Sequence, residues 1–269
     1  MLLKAKTIES DIRLTTVVDG KEYTAQGRYE EQALAKPLAG VFFRSMYRLE
    51  VNFLMNSQSA GSDPNRMTMI CHIDENDPQK NQISKFVSIE GNKQFSTIRL
   101  AALEKKIKAS KTGMMFVQVN EVRNLGGLAA TLRQVTRFYE FKTQPVQDNL
   151  AGDEPITAIK LTGSLNSVYY KDMLGRFGGL DKKGHNPANL PTDIEIWLGR
   201  VNDFPYQIRY LNRRNQDKET KTVIFQERYF NTILNGETIP LLKFAPLTPP
   251  EGVFTVQDET ENFIRSLGL

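Results

Sequence analysis

The chain contains very few of the residues that form disulfides, metal sites and nucleophilic active sites. Its 269 residues include one cysteine, Cys71, and two histidines, His72 and His185. One cysteine cannot form an internal disulfide, and these three residues do not have the spacing of a metal site. Cys71 and His72 are adjacent on a predicted strand, so their side chains point to opposite faces and cannot pair as nucleophile and base. We therefore predict no metal, no cofactor and no enzymatic activity.

The chain also has no long hydrophobic run and no block of like charge. No apolar stretch approaches the roughly 20 residues that span a bilayer as a helix. The first six residues, Met1 to Lys6, do not have the apolar core of a secretory signal. Lys and Arg, 35 in all, are scattered among 31 Asp and Glu residues, for a formal net charge of +4. Because this distribution forms no basic patch, we predict no nucleic-acid partner.

What the chain does contain is alternation of apolar and polar residues, which is typical of half-buried strands. Residues 11–18 and 22–30 alternate on either side of Asp19-Gly20, a strong two-residue hairpin signal. The same pattern predicts strands at 41–54, 66–73, 83–89, 93–99, 140–143, 156–161, 193–198, 206–211, 222–230 and 241–244. From these twelve segments we predict a sheet of about ten or eleven antiparallel strands.

Two segments break the alternation. Between about residues 99 and 137, apolar residues recur at helical spacing, beginning with Leu100 and Leu103. Residues 166–190 predict an irregular insertion with a short helix and a loop. No linker divides the chain, so we predict a single domain over residues 1–269. The predicted fold class is mainly β with helices (α+β), a strongly curved antiparallel sheet that forms an incomplete barrel with helices packed on one face.

The last part of the chain has the most specific pattern. Pro249 and Pro250 cannot donate hydrogen bonds to a sheet, so they mark a strand end. Farther on, Asp258 is a predicted cap for a final helix. The segment from Phe244 to Asp258 is similar to the terminal Thr-Pro-Pro-x-Gly-Val strand of the LolA-like lipoprotein carriers and to the strand that follows it.

Other segments carry the same resemblance. Residues 23–29 are similar to the early x-Gly-x-Tyr strand of LolA-like proteins, and residues 47–50 are similar to their third strand. Residues 198–200 and 203–210 resemble a longer branch of these proteins found in Planctomycetes-type bacteria. The resemblance covers nearly the whole chain and identifies it as similar to a LolA-like half-barrel domain.

The resemblance implies a half-open barrel covered by a helical lid, here the helical segments within about 99–137. It also implies a carrier in the periplasm or cell envelope that holds lipid or the acyl chains of a lipoprotein. A membrane-associated donor or acceptor protein would be a further partner. The best-known carriers have an Arg-Pro pair implicated in closing the lid, and the nearest match here is Lys36-Pro37. Because lysine lacks the fork of donors that arginine has, this lid mechanism does not transfer directly.

Elementary packing also favours an apolar ligand. A curved sheet of this many strands has a concave face too wide for its own side chains to fill. Burial of methylene groups there stabilises a complex by roughly 0.8 kcal/mol each without directed hydrogen bonds. The residues predicted to line the lipid-binding cavity are Phe43, Tyr47, Leu49, Val51, Met67, Met69, Ile194, Ile196, Ile208, Tyr210 and Phe225 from strands, with Leu128, Leu132 and Phe138 from the lid.

Apolar periodicity reports burial and not ligand contact, so the same residues are also typical of a dry core against the helices. The alternative is therefore a structural, interaction or sensor domain of the cell envelope that has no lipid ligand. Trp197 lies on the face opposite Ile194 and Ile196 and is assigned no role.

Overall fold

The protein is described by a computed structural model that covers most of the chain. The described residues are 5–34, 45–54, 65–109, 127–142, 146–150, 156–176, 178–182, 184–214, 220–250 and 255–266. The strands are β1 (Thr7–Val18), β2 (Lys21–Ala33), β3 (Ser45–Leu54), β4 (Arg66–His72), β5 (Gln82–Ile89), β6 (Asn92–Arg99), β7 (Tyr139–Phe141), β8 (Val146–Leu150), β9 (Ile156–Leu165), β10 (Asp193–Gly199), β11 (Pro205–Asn212), β12 (Thr222–Leu234) and β13 (Thr255–Asp258).

Helices are fewer. The α-helices are α1 (Leu100–Ala109), α2 (Gly127–Phe138), α3 (Ser167–Arg176) and α4 (Thr260–Ser266), and short 3-10 helices form at Pro78–Lys80 and Leu241–Phe244. The helix α1 lies within residues 99–137, α2 ends one residue beyond this range at Phe138, and α3 lies within residues 166–190. The prediction of a mainly β fold with helices is confirmed.

The strands form one large mixed sheet. Hydrogen-bonded neighbours follow the order β13-β6-β5-β4-β3-β2-β1-β12-β11-β10-β9-β7, and β8 pairs with β9. Among the described strands no pairing joins β13 to β7, so the sheet is not closed. The prediction of an antiparallel sheet is wrong at one edge, where β13 runs parallel to β6. A hairpin forces its two strands to be antiparallel, but β6 and β13 are far apart in the sequence, so no hairpin sets their direction.

The described residues group into two compact units. Within the described ranges, unit 1 contains Ile12–Thr24 and Leu132–Asn231, and unit 2 contains residues 5–11, 25–131 and 232–266. The boundaries fall inside β1, β2, β12 and α2. Each unit has its own buried apolar residues.

Tight two-residue turns fix the register of two hairpins. Between β1 and β2, Asp19 and Gly20 have φ values of 50° and 75°, and this confirms the predicted hairpin. Glu90 and Gly91 form the same kind of turn between β5 and β6, with φ values of 50° and 80°. Positive φ at both central residues gives a turn whose twist matches that of the strands.

In unit 2 the sheet β3–β6 is buried on both faces. Tyr47 and Leu49 lie on one face, and Ile70 and Phe86 lie on the other. The segment 239–247 hydrogen-bonds to this second face, because the Arg48 side chain donates to the Lys243 carbonyl at 3.1 Å, and the Leu247 N–H donates to Ser84 Oγ at 2.9 Å.

Part of this segment corrects the sequence prediction. Residues 241–244 were predicted to be a strand, but Leu241–Phe244 forms a 3-10 helix. Pro240, at φ −56°, precedes it and has no N–H to offer a neighbouring strand. The predicted cap of the last helix is confirmed, since Asp258 Oδ1 accepts from the Thr260 N–H at 3.0 Å.

In unit 1 the strands β9 to β12 pair antiparallel. Ile194 lies opposite Gly163 on one side and Tyr210 on the other, and Tyr210 lies opposite Phe225. Ile196 lies opposite Leu161 and Ile208 in the next row. Since residues that lie directly opposite one another share a face, these side chains form an apolar surface that also includes the buried Glu227, opposite Ile208.

Candidate functional site

The predicted cavity residues of unit 2 share one face of the sheet. Tyr47 pairs with Cys71, Leu49 with Met69, and Val51 with Met67 across β3 and β4. Tyr47, Leu49, Val51 and Met69 are buried, and Met67 is half-buried. Leu128 of α2 is also buried. Phe43, the remaining candidate from this part of the chain, lies outside the described residues.

Burial falls along this face from one row to the next. The first row consists of Tyr47, Cys71 and Ile83, all of which are buried. The last row, Val51–Met67–Val87, ends in two half-buried side chains, Met67 and Val87. We define this set of rows as the graded face. The middle row is Leu49–Met69–Lys85, so the half-buried Lys85 lies on the same face. The apolar surface therefore extends from the interior of unit 2 toward solvent beside one lysine.

The predicted cavity residues of unit 1 also share a face, as the register shows. Ile194, Ile196, Ile208 and Tyr210 have no exposed surface, and Phe225 is half-buried. Leu132 and Phe138 of α2 belong to this unit and are buried. This face is covered by the protein's own atoms.

A buried polar cluster lies at the start of α2 in unit 2. The Tyr29 hydroxyl donates to Glu31 Oε2 at 2.6 Å, and the Ser45 hydroxyl donates to Glu31 Oε1 at 2.5 Å. The Leu128 N–H donates to both Glu31 Oε2 at 3.0 Å and the Tyr29 hydroxyl at 2.9 Å. We call Tyr29, Glu31, Ser45 and the first turn of α2 the capping cluster.

The Glu31 carboxyl is electrostatically unusual. Only 3% of the residue is exposed, and this burial raises the pKa of the carboxyl above its usual range. The hydrogen bonds from Ser45, Tyr29 and the Leu128 and Ala129 amides lower the pKa, but burial outweighs them. Among the described residues no lysine, arginine or histidine pairs with it. Burial, with a further contribution from Glu31, raises the pKa of the Cys71 thiol well above its usual range, so Cys71 is a poor nucleophile.

Gly127 allows the capping cluster to form. Its φ is +70°, a conformation that L-residues rarely adopt, and a Cβ there would lie 2.6 Å from the Tyr29 hydroxyl oxygen. Tyr29, Glu31 and Ser45 are not among the site residues predicted from the sequence. The available signal was two consecutive acidic residues, Glu30 and Glu31, in an otherwise alternating strand, which places one of them on the inner face.

The capping cluster connects to the graded face. The rings of Tyr29 and Tyr47 are stacked with centroids 6.3 Å apart, and the Tyr47 hydroxyl is 3.3 Å from the sulfur of Met69. Chemically, the cluster combines hydrogen-bond acceptors and donors at the deep end of an apolar surface. Such an arrangement orients a helix or the polar end of an amphiphile.

Unit 1 contains a different buried carboxylate. Asp193 accepts from Arg213 at 2.6 Å, from Lys221 Nζ at 2.8 Å and from the Thr192 hydroxyl at 2.9 Å. Burial alone would raise the pKa of Asp193, but the hydrogen bonds from Lys221, Thr192 and Arg213 outweigh it and lower the pKa. Asp193 is thus a charged structural anchor at the start of β10.

Trp197 packs on the other face of β10 in unit 1. Lys160 Nζ and the guanidinium carbon of Arg209 each lie 4.8 Å from its ring centroid. Glu195 accepts from Lys160 at 2.8 Å and lies 3.9 Å from Arg209. Since Glu195 lies beside both cations and both cations pack on the Trp197 ring, we interpret this group as a packed structural surface.

The described parts of the chain contain no group of three or more His, Cys, Asp or Glu residues arranged to hold a metal ion. None of their helices combines the length and the apolar character that crossing a membrane requires.

No protein-family model and no curated protein matches the chain. Among solved structures, it is similar to a DUF1329 family protein from Desulfovibrio piger, with 10% identity, a TM-score of 0.33 and coverage of 86% of this chain and 87% of that chain. It is also similar to a putative outer membrane lipoprotein-sorting protein domain from Vibrio parahaemolyticus, with 9% identity, a TM-score of 0.33 and coverage of 89% of both chains.

A third similar structure is a LolA superfamily protein from Nitrosomonas europaea, with 12% identity, a TM-score of 0.26 and coverage of 91% of this chain and 92% of that chain. The LolA superfamily is the family that the sequence resemblance named.

Proposed function

We propose that the protein binds lipid or the acyl chains of a lipoprotein and acts as a carrier in the periplasm or cell envelope. In this proposal the open sheet is curved as an incomplete barrel, and the helical segments within residues 99–137 form its lid. The observation that carries the proposal is the graded face of unit 2, which is apolar in its buried interior and reaches solvent at Met67 and Val87.

The residue types on the graded face suit an acyl chain. Met67 and Met69 have flexible, polarisable side chains that adapt to irregular apolar ligands. Each methylene group of a ligand that displaces water here contributes roughly 0.8 kcal/mol, and no directed hydrogen bond is needed. The ligand would enter past Met67 and Val87 and extend toward Tyr47. The apolar face of unit 1, with Ile194, Ile196, Ile208, Tyr210 and Phe225, is proposed as a second acyl-binding surface.

The carrier proposal also includes partners. A protein that carries lipid must receive it from one membrane-associated donor and deliver it to an acceptor. Because Tyr47 and Leu49 are buried, displacement of the covering elements would have to precede entry of a long acyl chain. Opening and closing of a lid would thus control both loading and release.

A fatty-acid uptake assay tests the proposal. The protein is extracted with organic solvent, refolded and titrated with a fluorescent fatty acid, and native mass spectrometry of the unextracted protein measures any bound lipid. We expect lipid-sized mass additions before extraction and saturable uptake afterwards. A Met67→Lys variant should lose at least tenfold in affinity, because its charge would lie on the entry path.

Thr68→Lys is the matched control. Thr68 is the next residue of β4, is half-buried like Met67, and faces the opposite side of the sheet. Its substitution should leave uptake unchanged. Absence of bound lipid together with no uptake by the wild-type protein would refute the carrier function, and equal losses in both variants would refute the proposed entry path.

One observation favours a second candidate function, a structural or interaction domain of the cell envelope without a lipid ligand. Among the described cavity candidates, all except Met67 and Phe225 are buried by the protein itself. A sheet filled by its own helices has no need of a ligand. Under this alternative, native mass spectrometry detects only the bare chain.

A further inference from the structure

We propose that Glu31 is the cap of helix α2 and, with Tyr29 and Ser45, forms a releasable latch that holds the start of this helix against the sheet of unit 2. The capping role is independent of lipid binding. Only its consequence for ligand entry rests on the proposed function.

Helix α2 has no capping side chain at its first residue. The initial N–H groups of a helix have no partners within the helix, and a Ser, Thr, Asp or Asn side chain usually accepts from them. Here the first residue is Gly127, which has no side chain. Glu31, 97 residues earlier in the chain, accepts from the Leu128 N–H instead, and the Ala129 amide also hydrogen-bonds to it.

The geometry of β2 and β3 constrains the capping cluster. Tyr29 and Glu31 stand two residues apart on β2, so their side chains lie on the same face, and Ser45 extends from the start of β3. Both carboxyl oxygens of Glu31 accept hydrogen bonds, and the donors Tyr29, Ser45 and Leu128 are buried. Loss of any one of these side-chain partners removes at least one hydrogen bond from a site away from water, which is costly.

Among the described residues, no lysine, arginine or histidine pairs with the Glu31 carboxyl. The described groups that face it are the Tyr29 hydroxyl from β2, the Ser45 hydroxyl from β3, the Cys71 thiol from β4 and the amides of α2. None of these is a permanent positive charge. A capping group of this kind is sensitive to its own protonation, unlike Asp193 in unit 1, which two cations hold in its charged form.

Tyr29 connects the latch to the graded face, because its ring stacks on Tyr47, which contacts Met69. If the start of α2 leaves the cluster, the Tyr29 hydroxyl loses the hydrogen bond from the Leu128 N–H, and the Tyr29 side chain is held less firmly over Tyr47. Release of the latch would thereby ease access to the surface proposed to bind acyl chains.

Hydrogen–deuterium exchange of the full chain tests the latch. We expect Glu31→Ala to speed exchange in peptides that contain Leu128 to Thr131 by about tenfold, the factor for loss of one capping interaction. Glu31→Gln should change it by less than about threefold, because its amide oxygen still accepts from the helix and its NH₂ group can donate to Ser45. Similar acceleration in both variants, or none in Glu31→Ala, would overturn the proposal.

Matched controls come from unit 1. Tyr229 donates to the buried Glu227 at 2.9 Å, as Tyr29 donates to Glu31. Tyr29→Phe should speed exchange at the start of α2 by at least threefold, whereas Tyr229→Phe should not do so selectively. If Glu31→Ala fails to fold, Tyr29→Phe tests the latch in its place. Exchange at the wild-type rate at the start of α2 in Tyr29→Phe would count against the latch.

A ligand measurement separates the latch from the proposed function. Fluorescent fatty-acid uptake should be faster in Glu31→Ala than in Glu31→Gln if the latch controls entry. Faster exchange in Glu31→Ala without uptake in any variant would support the latch and reject the carrier. Uptake at equal rates in both variants would reject the control of entry by the latch.

Discussion

The substitution Gly127→Ala tests the geometry at the start of α2 most directly. Gly127 has φ +70°, and a Cβ there would lie 2.6 Å from the Tyr29 hydroxyl oxygen and 3.0 Å from the Glu31 carboxyl. A left-handed conformation costs a non-glycine residue roughly 1–2 kcal/mol, and overpacking of a buried site costs about 1–3 kcal/mol more. We therefore expect the free energy of unfolding to fall by about 2–5 kcal/mol, or the start of α2 to detach.

Gly91→Ala provides the matched control. Gly91 also lies in unit 2 and has φ +80°, but a Cβ there would have no neighbouring atom within 4 Å. This variant should therefore show only the conformational cost of about 1–2 kcal/mol. The difference between the two variants measures the steric contribution of the capping cluster.

Urea unfolding followed by far-UV circular dichroism gives the free energy of unfolding, and hydrogen–deuterium exchange gives the local opening of α2. Trp197, the single tryptophan of the chain, provides a fluorescence signal from unit 1 in the same samples. If Gly127→Ala and Gly91→Ala lose equal stability and the start of α2 exchanges at the same rate in both, the close packing at the capping cluster is refuted.

Three further predictions follow from buried groups. The folded-state pKa of the Glu31 carboxyl is raised, so protonated Glu31 stabilises the fold at low pH. This contribution is lost as the pH rises from the usual value near 4.5 through the raised pKa. Hydrogen exchange at the start of α2, corrected for its intrinsic pH dependence, should therefore increase with pH in the wild type but not in Glu31→Gln. The pKa of Asp193 is lowered in the folded state, so its contribution to the free energy of unfolding is present above its usual pKa and is lost as the pH falls through the folded-state pKa. Asp193→Asn should lower the free energy of unfolding by about 2–4 kcal/mol at pH 7 and flatten the acid-unfolding curve. An unchanged curve would contradict this. Trp197→Phe should lower the free energy of unfolding in urea by about 1–2 kcal/mol, because it weakens the stacking with Lys160 and Arg209. An unchanged midpoint would show that these contacts contribute nothing to stability.

Much of the fold could be predicted because its signals are local. The Asp19-Gly20 turn defines a hairpin on its own, and the alternation in residues 66–73 and 83–89 corresponds closely to β4 and β5. The helix at Leu241–Phe244 was missed because its short apolar run fits a strand equally well by periodicity. The strand β8 was not predicted, and β13 was assigned no parallel partner, since pairing depends on residues far away in the chain.

The candidate site could be predicted only in part. Alternation placed Tyr47, Leu49 and Val51 on one face, and the register of β3 and β4 agrees. Glu31 could not be recognised as a cap, because its partner in α2 is 97 residues away in the chain and sequence rules for capping consider only the nearest residues.

The sequence by itself determined which apolar residues share a face of a strand or helix, because the period of these residues matches the geometry of strands and helices. It also determined the turns, since Gly and Asp at defined positions permit positive φ. Only the tertiary structure decided that a glycine at the start of α2 meets a carboxyl from β2, and that the apolar face of β3 and β4 grades from buried to half-buried. These properties depend on distances between segments that are remote in sequence, and no local pattern encodes such distances.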